Sequence, residues 1–302
     1  MSRPHRLRYR RPAQRWTDAL PLGNGRLGAM VFGGVGIERL QINDDRGWSG
    51  SPDTGRGTPL LAPEEGPGVL AEVRAALLEG DVSRAEKIST RLQHGHSQSF
   101  QPLVDLWLAT TAVEPLVRLG EEDYERWLDL DDAVAGHHAT SGGVRWRQET
   151  WVSAPRQALV LRRSAEGPEG AVLPPTELAL GPAHPAAAPS VWQEGPGRVR
   201  LEVVVRMPAH VVPPHEQLPH PVRYDDEGGA VTCVVLADVV TDGRITLPSA
   251  GSAGSLSIVD ARDLTVVLTT EADYRGPTSR PHGDVGRLRT RATRRLDAVH
   301  AL

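Results

Sequence analysis

Alternation with a period of two constrains the fold of this chain more than any other feature. In Arg198-Val-Arg-Leu-Glu-Val-Val-Val-Arg206 the apolar residues Val199, Leu201, Val203 and Val205 fall at every second position. Side chains two apart share one face of a strand, so this run predicts a half-buried one. Similar strand signals cover 31–32, 37–42, 143–152, 157–162 and 264–270. Gly33-Gly34 between the first two predicts a hairpin or a bulged pair. Asp242-Gly243, between 230–240 and 244–247, predicts a tight hairpin, because that dipeptide readily supplies positive φ. Many short strands without alternating helices favour a mainly β fold, a large antiparallel β-sandwich, over a parallel α/β sheet.

Helical spacing interrupts this pattern in three places. Residues 68–78 carry Val69, Val73, Ala76 and Leu77 on one face and stop at Gly80, a plausible C-terminal cap. Asp81 offers a side-chain cap to a second helix over 82–92, with Val82, Ala85, Ile88 and Leu92 on one face. A third helix spans 285–302, where Leu288, Ala292, Leu296 and Val299 form a stripe that needs a surface to pack on. Segments 52–67, 166–197 and 249–254 are rich in Gly, Pro, Ala and Ser and are expected to be loops.

Charge excludes some partners. With Lys+Arg 34 against Asp+Glu 38 the chain is mildly acidic, and neither nucleic acid nor an anionic membrane is expected to bind it. The basic opening Met1 to Arg11 is followed by no apolar stretch, so no secretory signal is expected. No run approaches the length of a membrane span, which places the expected location in the cytoplasm. Cys233 is the single cysteine and sits in an apolar strand-like run, where a buried thiol is expected.

The motif Gly23-Asn-Gly25-Arg-Leu-Gly28, with Asp44 about twenty residues on, matches a dinucleotide fingerprint in letters only. Pro21 precedes it and strand-like residues follow where the phosphate-binding helix should start. No cofactor is expected. Histidines cluster at His94/His96, His137/His138 and His210/His215/His220, but none has helical i, i+4 spacing or cysteine partners, so no metal is expected. Acidic groups at Glu64-Glu65, Asp129 with Asp131-Asp132, and Asp225-Asp226-Glu227 read as solvated loops. The run Asn43-Asp44-Asp45-Arg46-Gly47-Trp48-Ser49-Gly50 leaves two readings open. Its amide, carboxylate, guanidinium and indole groups could meet a sugar, or form an Asx-type turn over a packed tryptophan.

Taken in order, several segments resemble the N-terminal domain of glycoside hydrolase family 95, the family of α-L-fucosidases. They are Trp16 with Ala19-Leu-Pro-Leu-Gly-Asn-Gly-Arg-Leu-Gly-Ala-Met30, Asn43-Asp-Asp with Trp48-Ser-Gly50, Glu72-Val-Arg74, and Gln101-Pro-Leu with Asp105-Leu106. Leu128-Asp-Leu-Asp-Asp-Ala133, Val152-Ser-Ala-Pro155 and Pro208-Ala-His-Val211 continue the series. The resemblance implies a β-sandwich over 1–275 and the start of a helical linker over 276–302. It also implies a catalytic (α/α)6 barrel that inverts terminal α-L-fucosyl linkages, and no position here matches the barrel's catalytic motifs. Departures occur at Arg46-Gly47, where the family usually has Thr-Leu, at Val104 for Gly, and at Arg126-Trp127 for Arg-Glu.

No catalytic residue is therefore assigned in this chain, and Asn43, Asp44 and Trp48 are the candidates for a substrate-binding or barrel-facing role. The resemblance implies a fucosylated glycan as the partner of the full-length family. Three expectations follow: a domain inactive alone, a carbohydrate-binding module, or half of a split enzyme with a separately encoded barrel. A bare interdomain face would also favour self-association.

Overall fold

The structure is a computed structural model; it describes residues 5–52, 54, 61–93, 97–110, 124–141, 144–185, 189–213, 219–224, 229–248 and 255–301. The alternating run does form a strand, Arg198–Arg206, the twelfth in the chain (β12). It lies in a nine-stranded antiparallel sheet. That sheet is ordered β1 (Arg6–Tyr9), β6 (Tyr124–Asp129), β7 (Val134–Ser141), β8 (Val144–Ser153), β9 (Ala158–Glu166), β18 (Asp263–Ala272), β15 (Thr232–Thr241), β12 and β11 (Ser190–Gly195). A seven-stranded sheet faces it, ordered β16 (Arg244–Thr246), β17 (Leu256–Val259), β10 (Thr176–Pro182), β5 (Val104–Thr110), β4 (Ile37–Asp44), β3 (Leu27–Val31) and β2 (Leu20–Gly23). A small pair, β13 (His210–Val211) and β14 (Val222–Arg223), stands apart.

One continuous core joins the inner faces of both large sheets, with Leu40, Ile42, Leu106, Leu108 and Leu178 from one and Leu159, Leu161, Leu201 and Val235 from the other. Cys233 lies fully buried in β15, and burial pushes its thiol well up. The expected sandwich is the observed architecture.

The expected helices form as α1 (Gly66–Leu78), α2 (Val82–Ser89, with a 3-10 turn at Thr90–Leu92) and α3 (Val285–His300). Gly80 takes φ +80 beyond α1, and the Asp81 side chain accepts from Arg84 N at 2.9 Å to cap α2. The stripe on α3 finds its surface on the outer face of the nine-stranded sheet. Leu288, Ala292 and Leu296 are buried there against Val160, Val234, Leu236 and Val267. This explains why β12 and β15 are buried on both faces. The helical hairpin is covered less well: Val69, Ala76 and Ala85 are buried, while Leu77, Val82 and Leu92 stay exposed.

Two expectations need correction. Segment 166–197 holds strands β10 and β11, because Leu178 and Leu180 fill core positions despite the flanking Gly, Pro and Ala. Asp242-Gly243 is a corner and not a hairpin: β15 stays in the large sheet while β16 pairs with β17 in the other. Gly243 serves close approach, since a Cβ there would lie 2.6 Å from Val259 O and 2.7 Å from Ala261 Cβ. Asp242 Oδ1 accepts from Arg262 N and Asp263 N, both at 2.9 Å, and so fixes the turn into β18. Gly243→Ala should accordingly lower stability by about 1–3 kcal/mol, read from urea unfolding; an unchanged midpoint would remove this account of the corner. By contrast, Gly33-Gly34 does sit in a β3–β4 hairpin, with Val31 opposite Leu40 and Gly33 at φ +73.

Candidate functional site

Strand β4 sets the geometry. Its inward row is Glu38, Leu40, Ile42 and Asp44, all fully buried, so a carboxylate stands at each end of an apolar pair. Asn43 belongs to the opposite row, and alternation sends its side chain to the other face of the sheet from Asp44. Asn43 is half-buried, opposite Gly28 on β3, with its Oδ1 shielded and unbonded. Asn43 and Asp44 therefore do not converge on one ligand.

Asp44 is the centre of an ion network. Its Oδ1 accepts from Arg46 Nε at 2.8 Å and from Arg46 N at 3.0 Å. Its Oδ2 accepts from Arg46 Nη2 at 2.8 Å, from Arg26 Nη1 at 2.7 Å, and from the Thr270 hydroxyl. Burial alone would raise this carboxyl, but Arg46, Thr270 and Arg26 outweigh it and hold the group at about 2. Arg46 also reaches Glu271 Oε2 at 3.3 Å. Glu271 in turn meets Arg291 at 3.2 Å and Arg295 at 2.6 Å, two residues one turn apart on α3. The network thus joins the β2–β3 hairpin, the end of β4, β18 and α3. Gly23 to Gly28 is that hairpin, with Asn24 Oδ1 accepting from Arg26 N and Leu27 N and Gly25 at φ +88.

Trp48 is placed differently. Its Nε1 donates to Asp45 O at 2.8 Å and Phe100 meets it edge-on at 5.8 Å. Both features fit the turn reading. Yet Trp48 also lines a cleft of about 290 Å³, shared with Ser49, Gln98, Tyr274, Pro277 and Pro281. Gln98 is locked in the wall, with Oε1 accepting from Ser49 Oγ at 3.0 Å and Val211 N at 3.2 Å. Its volume is just below the usual range for small-molecule sites.

The remaining candidates scatter. His137 is buried beside Glu38, and His138, on the other face of β7, tilts over Trp127 at 5.8 Å. Asp129 Oδ1 accepts from Asp131 N and Asp132 N, making that acidic run a β6–β7 turn. His94, His96, His215 and Asp225-Asp226-Glu227 lie outside the described residues. Among the described residues no group of three His, Cys, Asp or Glu could hold a metal, and no helix is long and apolar enough to cross a membrane. Sequence reading missed Glu271 on β18, and Arg291 and Arg295 on α3, whose only signal was their helical i, i+4 spacing. It also missed Tyr274.

Comparison with known proteins decides the family. The model described as glycosyl hydrolase family 65, N-terminal domain, matches residues 7–277. The chain belongs to this glycosyl hydrolase N-terminal domain family. The likeness to the α-L-fucosidases of family 95 also holds: Alpha-L-fucosidase 2 of Arabidopsis thaliana is 29% identical over 287 residues, 93% of this chain and 32% of that protein. Probable alpha-fucosidase A of Aspergillus niger (strain ATCC MYA-4892 / CBS 513.88 / FGSC A1513) is 29% identical over 153 residues, 49% of this chain and 18% of that one. The chain therefore spans about a third or less of the length of these relatives. A putative kojibiose phosphorylase from human microbiome aligns with a TM-score of 0.46 and 10% identity, over the whole of this chain and 36% of the other. Arg46, expected from the sequence to be a departure from the resemblance, is engaged by Asp44 and Glu271.

Proposed function

We propose that this glycosyl hydrolase N-terminal domain is the non-catalytic β-sandwich of an α-L-fucosidase-type enzyme. In this reading residues 1–275 form the sandwich and 276–302 begin a helical linker. Inverting hydrolysis of terminal α-L-fucosyl linkages then depends on an (α/α)6 barrel outside these residues, on the same chain or a separately encoded one. The supporting observation is the likeness over 93% of this chain to 32% of the Arabidopsis fucosidase. Chemistry agrees with it. Glycoside hydrolysis needs two carboxyl groups placed across one bond, whereas Asp44, Glu271 and Asp238 are buried among arginines. Incubating these 302 residues with a fucosylated oligosaccharide should release no fucose above the buffer control. Release that co-purifies with the chain through two columns would overturn the reading.

The Trp48 cleft favours a second reading, a carbohydrate-binding role. An indole face beside Tyr274 and a fixed amide is the kind of surface that stacks on a sugar ring. Titration calorimetry with fucose decides it: no heat at millimolar sugar removes this reading. The exposed Leu77, Val82 and Leu92 on the helical hairpin are the surface most open to self-association, and light scattering at rising concentration would report a constant monomer mass if they take no part.

A further inference from the structure

An open groove of about 880 Å³ runs between the sheet edges, with β1 and β6 on one side and β2 on the other. Arg10, Arg11, Arg15 and Arg126 line it, against one carboxylate, Asp18. That carboxylate is already held by Arg15, at 3.2 Å to each oxygen. Among the described residues that line it, arginines outnumber carboxylates, in a chain whose overall balance is acidic.

Arg126 decides what the groove is for. It stands on the inward face of β6 and is only 3% exposed. Its Nε donates to Arg11 O at 2.7 Å and its guanidinium lies 4.2 Å from the centre of the Tyr9 ring. It makes no ion pair among the described residues, and its Nη1 is buried with no acceptor. A buried guanidinium without a counter-ion is costly, and a planar donor fork suits a carboxylate or a sulfate. Among the described residues the other two buried arginines leave no buried donor unmet: Arg163 donates twice to Gln148 Oε1, and Arg200 pairs with both oxygens of Asp238.

We propose that this groove binds an anionic saccharide, with the acid group of a uronate or sugar sulfate meeting Arg126, supported by Arg10. Tyr9 in the groove wall offers a face for the ring, and Gln14 and Thr17 offer hydrogen bonds to its hydroxyls. The saccharide half of this assignment rests on the glycoside hydrolase reading above; the anion half stands on the arginines alone.

Calorimetric titration of the 302-residue chain with galacturonic acid, galactose and sodium sulfate tests it. Galacturonic acid should bind and galactose should give no heat at the same concentration. Arg126→Gln and Arg10→Gln should each weaken the binding roughly tenfold. Thermal melts check that the variants fold; Arg10 is at the surface, so Arg10→Gln carries the test even where Arg126→Gln does not fold. Equal heats from galactose and galacturonic acid, or binding indifferent to both substitutions, would overturn the anion site whatever the fucosidase assay shows. Sulfate as tight as galacturonic acid would overturn the saccharide assignment. Fucose release by the chain would count against the domain's non-catalytic role and leave the charge dependence untouched.

Discussion

Asp44→Ala should lower the free energy of unfolding by about 3–5 kcal/mol, the range for removing one partner of a buried ion pair. The substitution leaves Arg26 and Arg46 in place and takes away the carboxylate that both share. Arg46 keeps Glu271, but only at 3.3 Å, and Glu271 is already engaged by Arg291 and Arg295. Two largely buried guanidiniums then face each other across a cavity. Asp44→Asn should cost less, since one oxygen still accepts, although its amide points donors at arginine donors. Urea unfolding followed by tryptophan fluorescence at pH 7 would check both. A loss below about 1 kcal/mol, the range of exposed pairs, would show that the network does not hold the fold. The damage should also reach α3 through Arg46 and Glu271, visible as faster amide exchange over 285–300. The sign with pH is fixed. The folded carboxyl is depressed to about 2, so its contribution is present above its unfolded value near 4 and is lost as pH falls through 2. The gap between wild type and Asp44→Ala should therefore close in acid.

Strand β4 also shows what a reader of the sequence can and cannot obtain. Leu40 and Ile42 fix the parity of the strand, and that parity alone places Glu38 and Asp44 in the core and Asn43 outside it. The information was present, yet grouping Asn43, Asp44 and Trp48 as neighbours in the chain obscured it. The partners of Asp44 were a different matter. Thr270 stands 226 residues away, and no local pattern announces a contact of that range. The Asp-Gly corner failed for another reason. A turn dipeptide reports that the chain bends, but whether the next strand returns to the same sheet depends on β17 being free to pair. The cap of α2 was legible because its partner lies within one turn: Asp81 takes Arg84 N. The arginine groove escaped notice because Arg126 stands more than a hundred residues from the rest of its lining and reads in sequence as one more surface base.

Glu38, at the other end of the same inward row, should make stability fall as pH rises through neutrality. It is fully buried, and burial raises its carboxyl to about 7, against the opposing pull of Arg163 and the N–H groups of Gly33 and Arg39. Those donors meet one oxygen, at 2.9 and 3.0 Å. The other accepts from Gln148 Nε2 at 3.1 Å and faces His137 Nδ1 at 3.4 Å. In the unfolded chain the group ionises near 4.5. Its stabilising contribution is thus fully present below 4.5 and is lost as pH climbs to 7, over which span the folded state holds a proton the unfolded state has released. The difference corresponds to on the order of 3 kcal/mol. His137, buried and held well below its ordinary value by desolvation and Arg163, works in the opposite direction up to its unfolded value, so the wild-type profile alone mixes the two. Comparison with Glu38→Gln separates them. That variant carries an amide whose Nε2 opposes Gln148 Nε2, so it starts less stable at pH 4.5. Between pH 4.5 and 7.5 wild type should lose ground to it by about that same 3 kcal/mol. Parallel profiles from urea unfolding at each pH would mean that Glu38 is ionised throughout, and that Gln148 and the backbone donors suffice to hold a charge between the sheets.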